Sequence, residues 1–159
     1  AIEAEGVEGV KIMFANFPGM PTGKTPTREL FEKIVAFGAK HNILVIHDNP
    51  YSFIRNNDKP MSILSVPGAK DVAMEMNSLS KGHSMAGWRV GVIVGKQQWI
   101  DSILTFKSNM DSGMFYPIQA AFYFFHPLRT HLIKYGKIFH LKSVYQKKTA
   151  QQHQNASKH

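Results

Sequence analysis

Six side chains between positions 48 and 89 carry most of the chemical potential of this sequence: Asp48, Tyr51, Ser78, Ser80, Lys81 and Arg89. They comprise a carboxylate, a phenol, two hydroxyls, an amine and a guanidinium. Such a set can hold and pass protons, and the forked donors of a guanidinium suit a phosphate. Each alone has an ordinary explanation. An aspartate after a strand is most often a turn residue or a helix cap, and a lone lysine is usually solvated. Arg89 could be a plain ion-pair partner, Tyr51 a half-buried phenol, and the two serines a strand end. Their weight comes from occurring together in a fixed order, with Gly82 and Gly87 between the last two. Other chemistries have less support. The chain has no cysteine, which excludes a disulfide, a thiolate zinc site and a cysteine nucleophile. Its eight histidines show no metal-ligand spacing.

These side chains need a scaffold, and the pattern of the first two-thirds supplies one. Lys11 to Phe17 is a short apolar run followed by the turn-rich Pro18 to Gly23. A helix is expected next, with Thr25 as N-cap, Pro26 at its first position and an apolar stripe through Leu30, Phe31, Ile34 and Val35 to about Lys40. Asn42 to His47 is β-branched and apolar on both faces, the mark of a covered central strand. Val72 to Ser80 and Val90 to Gly95 read as further strands, and Lys96 to about Asn109 as a helix. This alternation predicts an α/β fold: a three-layer α/β/α arrangement around a mainly parallel sheet. One connection is exceptional. The nine residues between Ser80 and Val90 are too few for a parallel crossover, so the strand from Val90 should run antiparallel to the one ending at Ser80 if the two are adjacent. Arg89 then returns to the strand end that carries Lys81. Ligands of open α/β sheets bind outside the carboxyl ends of the strands, where all six residues fall.

Three strings resemble the class I/II aminotransferases, pyridoxal-phosphate enzymes of fold type I. They are Asn16-Phe17-Pro18-Gly19-Met20-Pro21-Thr22-Gly23, Asp48-Asn49-Pro50-Tyr51, and the run from Ser78-Leu79-Ser80-Lys81-Gly82 to Trp88-Arg89-Val90-Gly91. The third is the most specific, and the resemblance extends from Lys11 to Gln119. It implies that Lys81 is the Schiff-base lysine that also shuttles a proton between substrate and cofactor. Asp48 resembles the carboxylate that keeps the pyridine nitrogen protonated, and Tyr51 the phenol that bonds the cofactor O3′. Arg89 and Ser78, with Ser80 added, resemble the phosphate ligands. The implied cofactor is pyridoxal 5′-phosphate. The implied substrates are an amino acid and a 2-oxo acid, and the implied setting is a cytoplasmic homodimer. His83 reads as loop decoration, and Met85 and Trp88 as packing residues.

One position departs from the family. An asparagine usually precedes Pro-Thr-Gly and also contacts O3′, whereas this chain has Met20, whose thioether accepts only weakly and cannot donate. A complete member of that family is also much longer than 159 residues. Its phosphate-binding glycine turn, ring-stacking aromatic residue and carboxylate-gripping arginine have no counterpart that can be placed here. The chain is therefore expected to be the central part of a large domain, inactive alone, with an unpaired sheet edge and exposed apolar faces.

Length and composition fit a single packed domain: 43% of residues are hydrophobic and 19% charged. No apolar run approaches the ~18 residues of a membrane span. The first nine residues lack the apolar core of a signal peptide, and a chain opening on Ala1 is expected to be processed or part of something longer. The net charge of +8 lies in the tail. Residues 1–119, the expected cofactor-binding part, hold 12 Lys+Arg against 11 Asp+Glu; residues 120–159, a basic helical tail, hold seven Lys+Arg and no acid. That shift suggests an altered reading frame or a foreign end. Two rivals share the sequence features. A fold-type-I lyase cleaving carbon–sulfur bonds would use the same residues. A non-enzymatic module would use the tail's lysines and aromatic residues on nucleic acid, although a solvated helix explains the tail better.

Overall fold

A computed structural model describes residues 2–54, 59–113, 115–118 and 120. The chain divides into two units, Ala1–Gly113 and Met114–His159, and every element below belongs to the first. The basic tail assigned to residues 120–159 lies outside the described residues, Ala120 excepted. The elements run α1 (Ile2–Glu5), β1 (Ile12–Asn16), α2 (Arg28–His41), β2 (Leu44–Asp48), α3 (Ala69–Val72), β3 (Ala73–Ser78), α4 (Leu79–Gly82), β4 (Gly91–Val94) and α5 (Gln97–Met110). Short 3-10 turns at Ser52–Ile54, Ile63–Ser65 and Ala86–Trp88 fill the connections.

The four strands form one sheet in the order β1-β2-β3-β4. The first two pairings are parallel, with Phe14 opposite Ile46 and Ile46 opposite Met74. The third is antiparallel, with Ser78 opposite Gly91, as the short connection requires. The expected α/β class with one antiparallel strand therefore stands. Ala15, Val45 and Ala73 face a core completed by Phe31 and Val35 of α2, by Ile63, Leu64 and Val66, and by Ala69 of α3. Contact with α2 is close because Gly38 has no side chain: a methyl there would lie 2.8 Å from Val45 Cγ2 and 3.0 Å from the Ile43 carbonyl oxygen. The opposite face is covered unevenly. Ile46 and Met74 are buried, whereas Ile12 and Phe14 on the edge strand are 49% and 69% exposed.

Several boundaries differ from expectation, each for a local reason. The N-cap of α2 is Thr27, not Thr25; its hydroxyl accepts the Leu30 N–H at 3.1 Å, and Pro26 precedes the helix. Asn42 does not start β2. It caps α2 in the left-handed region at φ 53°, a conformation asparagine tolerates. β3 stops at Ser78 because that hydroxyl accepts the Ser80 N–H at 3.1 Å and opens α4, so Ser80 and Lys81 lie on a helical turn rather than a strand. Trp88, expected to pack, is 57% exposed. In the expected α5 stripe Trp99, Ile100, Ile103 and Leu104 are half-buried, whereas Phe106 is 70% exposed. Among the described residues no helix is long and apolar enough to cross a membrane, and no cluster could hold a metal ion.

Candidate functional site

The carboxyl ends of β1 and β2 meet the amino end of β4 beside the end of β3. Asp48 is the last residue of β2, in register with Asn16 on one side and Met76 on the other. Asn16 braces it: its Nδ2 donates to the Asp48 carbonyl at 3.1 Å and to Oδ2 at 3.3 Å. The other end of the Asn16 amide accepts the Met20 N–H at 3.0 Å. One side chain thus links the carboxylate to the loop that carries Met20. Sequence reasoning missed Asn16 as a site residue, although it opens the first family-like string.

Met20 stands where the family's asparagine is expected, and it touches the residue with which that asparagine would share a contact. The Tyr51 hydroxyl donates to Met20 Sδ at 3.3 Å. A thioether is a weak acceptor, so this bond yields easily to a better one. Tyr51 leads directly into the Ser52–Ile54 turn, and that turn packs against α4. The contact is close: a Cβ on Gly82 would meet Phe53 Cβ at 3.0 Å. The phenol-bearing loop and the lysine-bearing turn are therefore neighbours.

Lys81 is exposed on α4. Ser78, having accepted from Ser80 N–H, keeps its own hydroxyl proton to donate. The Leu79 N–H donates to the Val90 carbonyl at 3.1 Å, which fixes the return of the chain next to Lys81. Arg89 comes just before β4 in the left-handed region at φ 53°, a conformation that costs a non-glycine residue about 1–2 kcal/mol. Its Nη1 donates to the Ala86 carbonyl at 2.9 Å, leaving further guanidinium donors for an anion. Asp48, Tyr51, Ser78, Ser80, Lys81 and Arg89 all lie on this edge. His83 is exposed, its ring set edge-on to Phe53 at 6.3 Å between centroids.

Behind the edge, on the α2 face, lies a polar network that the sequence reading did not anticipate. Glu75 is buried in mid-strand. Its Oε1 accepts from Asn49 Nδ2 at 3.2 Å and from Asn77 Nδ2 at 2.8 Å. Its Oε2 accepts the Ser62 hydroxyl and the Ile63 N–H, the latter at 3.2 Å, and faces His47 Nδ1 at 3.3 Å. Burial, the largest influence, pushes the carboxyl up, but the bond and charge of His47, with Ser62 and Asn77, hold it below the usual carboxylate range. A lone glutamate between two methionines reads as a solvent-facing strand position. The available signal was His47, a polar residue inside an otherwise apolar strand.

Residues 1–130 match the family model described as aminotransferase class I and II. LL-diaminopimelate aminotransferase of Nitratidesulfovibrio vulgaris is 44% identical over 123 residues, which cover 76% of this chain and 32% of that protein. The enzyme of the same name from Gloeobacter violaceus is 49% identical over 112 residues, 70% of this chain and 29% of the relative. Among solved structures, apo-BacF from Bacillus subtilis superposes with a TM-score of 0.64 at 39% identity, covering 67% of this chain and 27% of that one. The chain thus spans about a third of the length of the curated relatives it matches.

Proposed function

The chain belongs to the class I and II aminotransferases, a family generally dependent on pyridoxal phosphate, and we propose that its sheet edge holds that cofactor for amino-group transfer from an amino acid to a 2-oxo acid. The observation that carries this reading is the antiparallel return of β4. With Ser78 opposite Gly91, Arg89 stands beside the Ser78–Lys81 segment while Asp48 ends the next strand but one. The donor set supports the cofactor's chemistry from end to end. Asp48, an acceptor steadied by Asn16, would hold a proton on the pyridine nitrogen. Tyr51 would turn its hydroxyl from the Met20 sulfur to O3′. Ser78, Ser80 and Arg89 would donate to the phosphate. Pyridoxal phosphate, when bound, supplies an electron sink for charge developing at the substrate Cα. Lys81 would hold the cofactor aldehyde and carry the proton to and from Cα.

The test is covalent labelling of the chain. Pyridoxal phosphate followed by borohydride should fix the cofactor's mass on the peptide containing Lys81, and Lys81→Ala should abolish it. Mass spread evenly over surface lysines would overturn the reading. The reaction class is tested on the longer proteins that contain this segment, with a panel of amino donors and either 2-oxoglutarate or pyruvate. The similarity to enzymes named LL-diaminopimelate aminotransferase makes that amino acid the first donor to offer. Release of ammonia and pyruvate without amino-group transfer would assign a lyase instead.

A further inference from the structure

The network behind the sheet edge grips both sequence neighbours of Asp48. Glu75 Oε2 faces His47 Nδ1 at 3.3 Å, and Oε1 accepts from Asn49 Nδ2 at 3.2 Å. His47 in turn holds the exit of β1: its Nε2 lies 2.8 Å from the Phe17 carbonyl oxygen. Phe17 N–H donates to the Asp48 carbonyl at 3.3 Å, which closes the corner. The His47 ring cannot rotate freely, since Phe31 packs edge-on against it at 4.9 Å between centroids.

The partners also hold this ring at both nitrogens. A carbonyl oxygen only accepts, so Nε2 carries a hydrogen. Both oxygens of Glu75 already accept, from Asn49 and Asn77 on one and from Ser62 and Ile63 on the other, as an ionised carboxylate does. With Nδ1 facing Glu75 and Nε2 facing the Phe17 carbonyl, His47 and Glu75 form a buried, hydrogen-bonded pair that locks the ring between β1 and β3.

We propose that Glu75, acting through His47 and Asn49, is a positioning residue for Asp48, fixing the direction of a carboxylate that it does not touch. The proposal rests on the reading of Asp48 as the partner of the cofactor nitrogen. Only there does an error of direction matter to function, because supporting groups must hold a functional side chain to within about 0.5 Å.

The experiment uses the 159-residue chain with nitrogen-15 label and compares wild type with Glu75→Gln. Before any cofactor is added, ring spectra of the wild type should show a slowly exchanging proton on His47 Nε2, the nitrogen held by the Phe17 carbonyl. The Asn16 side-chain amide should exchange slowly. In Glu75→Gln the His47 ring proton and the Asn16 amide should both exchange faster. Pyridoxal-phosphate mass fixed at Lys81 should fall about tenfold, the size of effect that outer partners have on metal-holding groups. Val35→Ala, a core truncation outside the site, should lower thermal stability without moving any of these readouts. A freely exchanging His47 Nε2 proton in the wild type overturns the proposal, as does a folded Glu75→Gln with Asn16 exchange and Lys81 labelling unchanged. If Glu75→Gln does not fold, the wild-type ring and amide signals decide alone. A wild type that takes no mass at Lys81 refutes the proposed function, and the ring and amide readouts then judge the pair by themselves.

Discussion

At the scale of single residues, Met20 is the most informative position. Its side chain is 70% exposed and its sulfur accepts the Tyr51 hydroxyl at 3.3 Å. An asparagine there could both donate and accept, whereas the thioether can only accept, and weakly. Met20→Asn should therefore strengthen pyridoxal-phosphate retention. One added hydrogen bond is worth about 1 kcal/mol net, or roughly fivefold in affinity. The check is the cofactor concentration that half-saturates labelling at Lys81. A weaker affinity in Met20→Asn would show that the methionine is itself adapted to this edge and that Tyr51 depends on it. The sequence displayed this substitution but not its consequence. That Met20 reaches Tyr51 follows from two loops meeting across the strand ends, a relation between positions 31 residues apart. Glu75 was hidden for a similar reason. Its partners come from the neighbouring strand, from the Ser62–Ile63 segment and from Asn77 two residues along, so no single window of sequence contains the cluster.

At the scale of elements, the parts with strong periodicity were legible and the parts set by capping were not. β1, β2 and α5 follow their apolar patterns, and the antiparallel β4 follows from chain length alone. The start of α2 was misplaced because Thr25-Pro26 and Thr27 both satisfy local rules. The choice falls to the position that lets fully buried Phe31 reach the core. Gly38 shows the same priority of packing over propensity. In an isolated helix, alanine is favoured over glycine by about 1 kcal/mol. Here a methyl group would lie 2.8 Å from Val45 Cγ2 and 3.0 Å from a backbone carbonyl oxygen that has little freedom to move. Overpacking of this kind costs about 1–3 kcal/mol. Gly38→Ala should consequently lower the midpoint of thermal or urea unfolding, opposite in sign to the helix scale. A rise in the midpoint would mean that α2 can slide away from β2, and that the close contact does not fix the helix on the sheet.

At the scale of the molecule, the charges at the sheet edge bear on what the chain can do unaided. An aminotransferase site must hold two anions at once, the cofactor phosphate and the substrate carboxylate. Two arginines lie among the described residues. Arg28 is on the exposed surface of α2, its Nε paired with Glu32 at 3.0 Å. Arg89 alone stands at the edge, where the phosphate would take it. In the proposed site Lys81 would be taken by the aldehyde. The described residues thus place one arginine at this edge, in a chain spanning about a third of the length of its curated relatives. Binding and turnover should separate accordingly. On the proposed reading, retention of the cofactor would draw on Lys81, Asp48 and the phosphate donors, and should be detectable though weak. Proton transfer at Cα also needs the substrate carboxylate oriented, and a misplacement of ~1 Å can cost ~10²-fold in rate. The purified 159-residue chain, loaded with pyridoxal phosphate, should therefore show a cofactor absorbance that disappears in Lys81→Ala. It should show no conversion to the pyridoxamine form when amino acids are added. Efficient conversion by that chain would mean that a second carboxylate-binding group lies within this sequence, and would move the substrate site into its span.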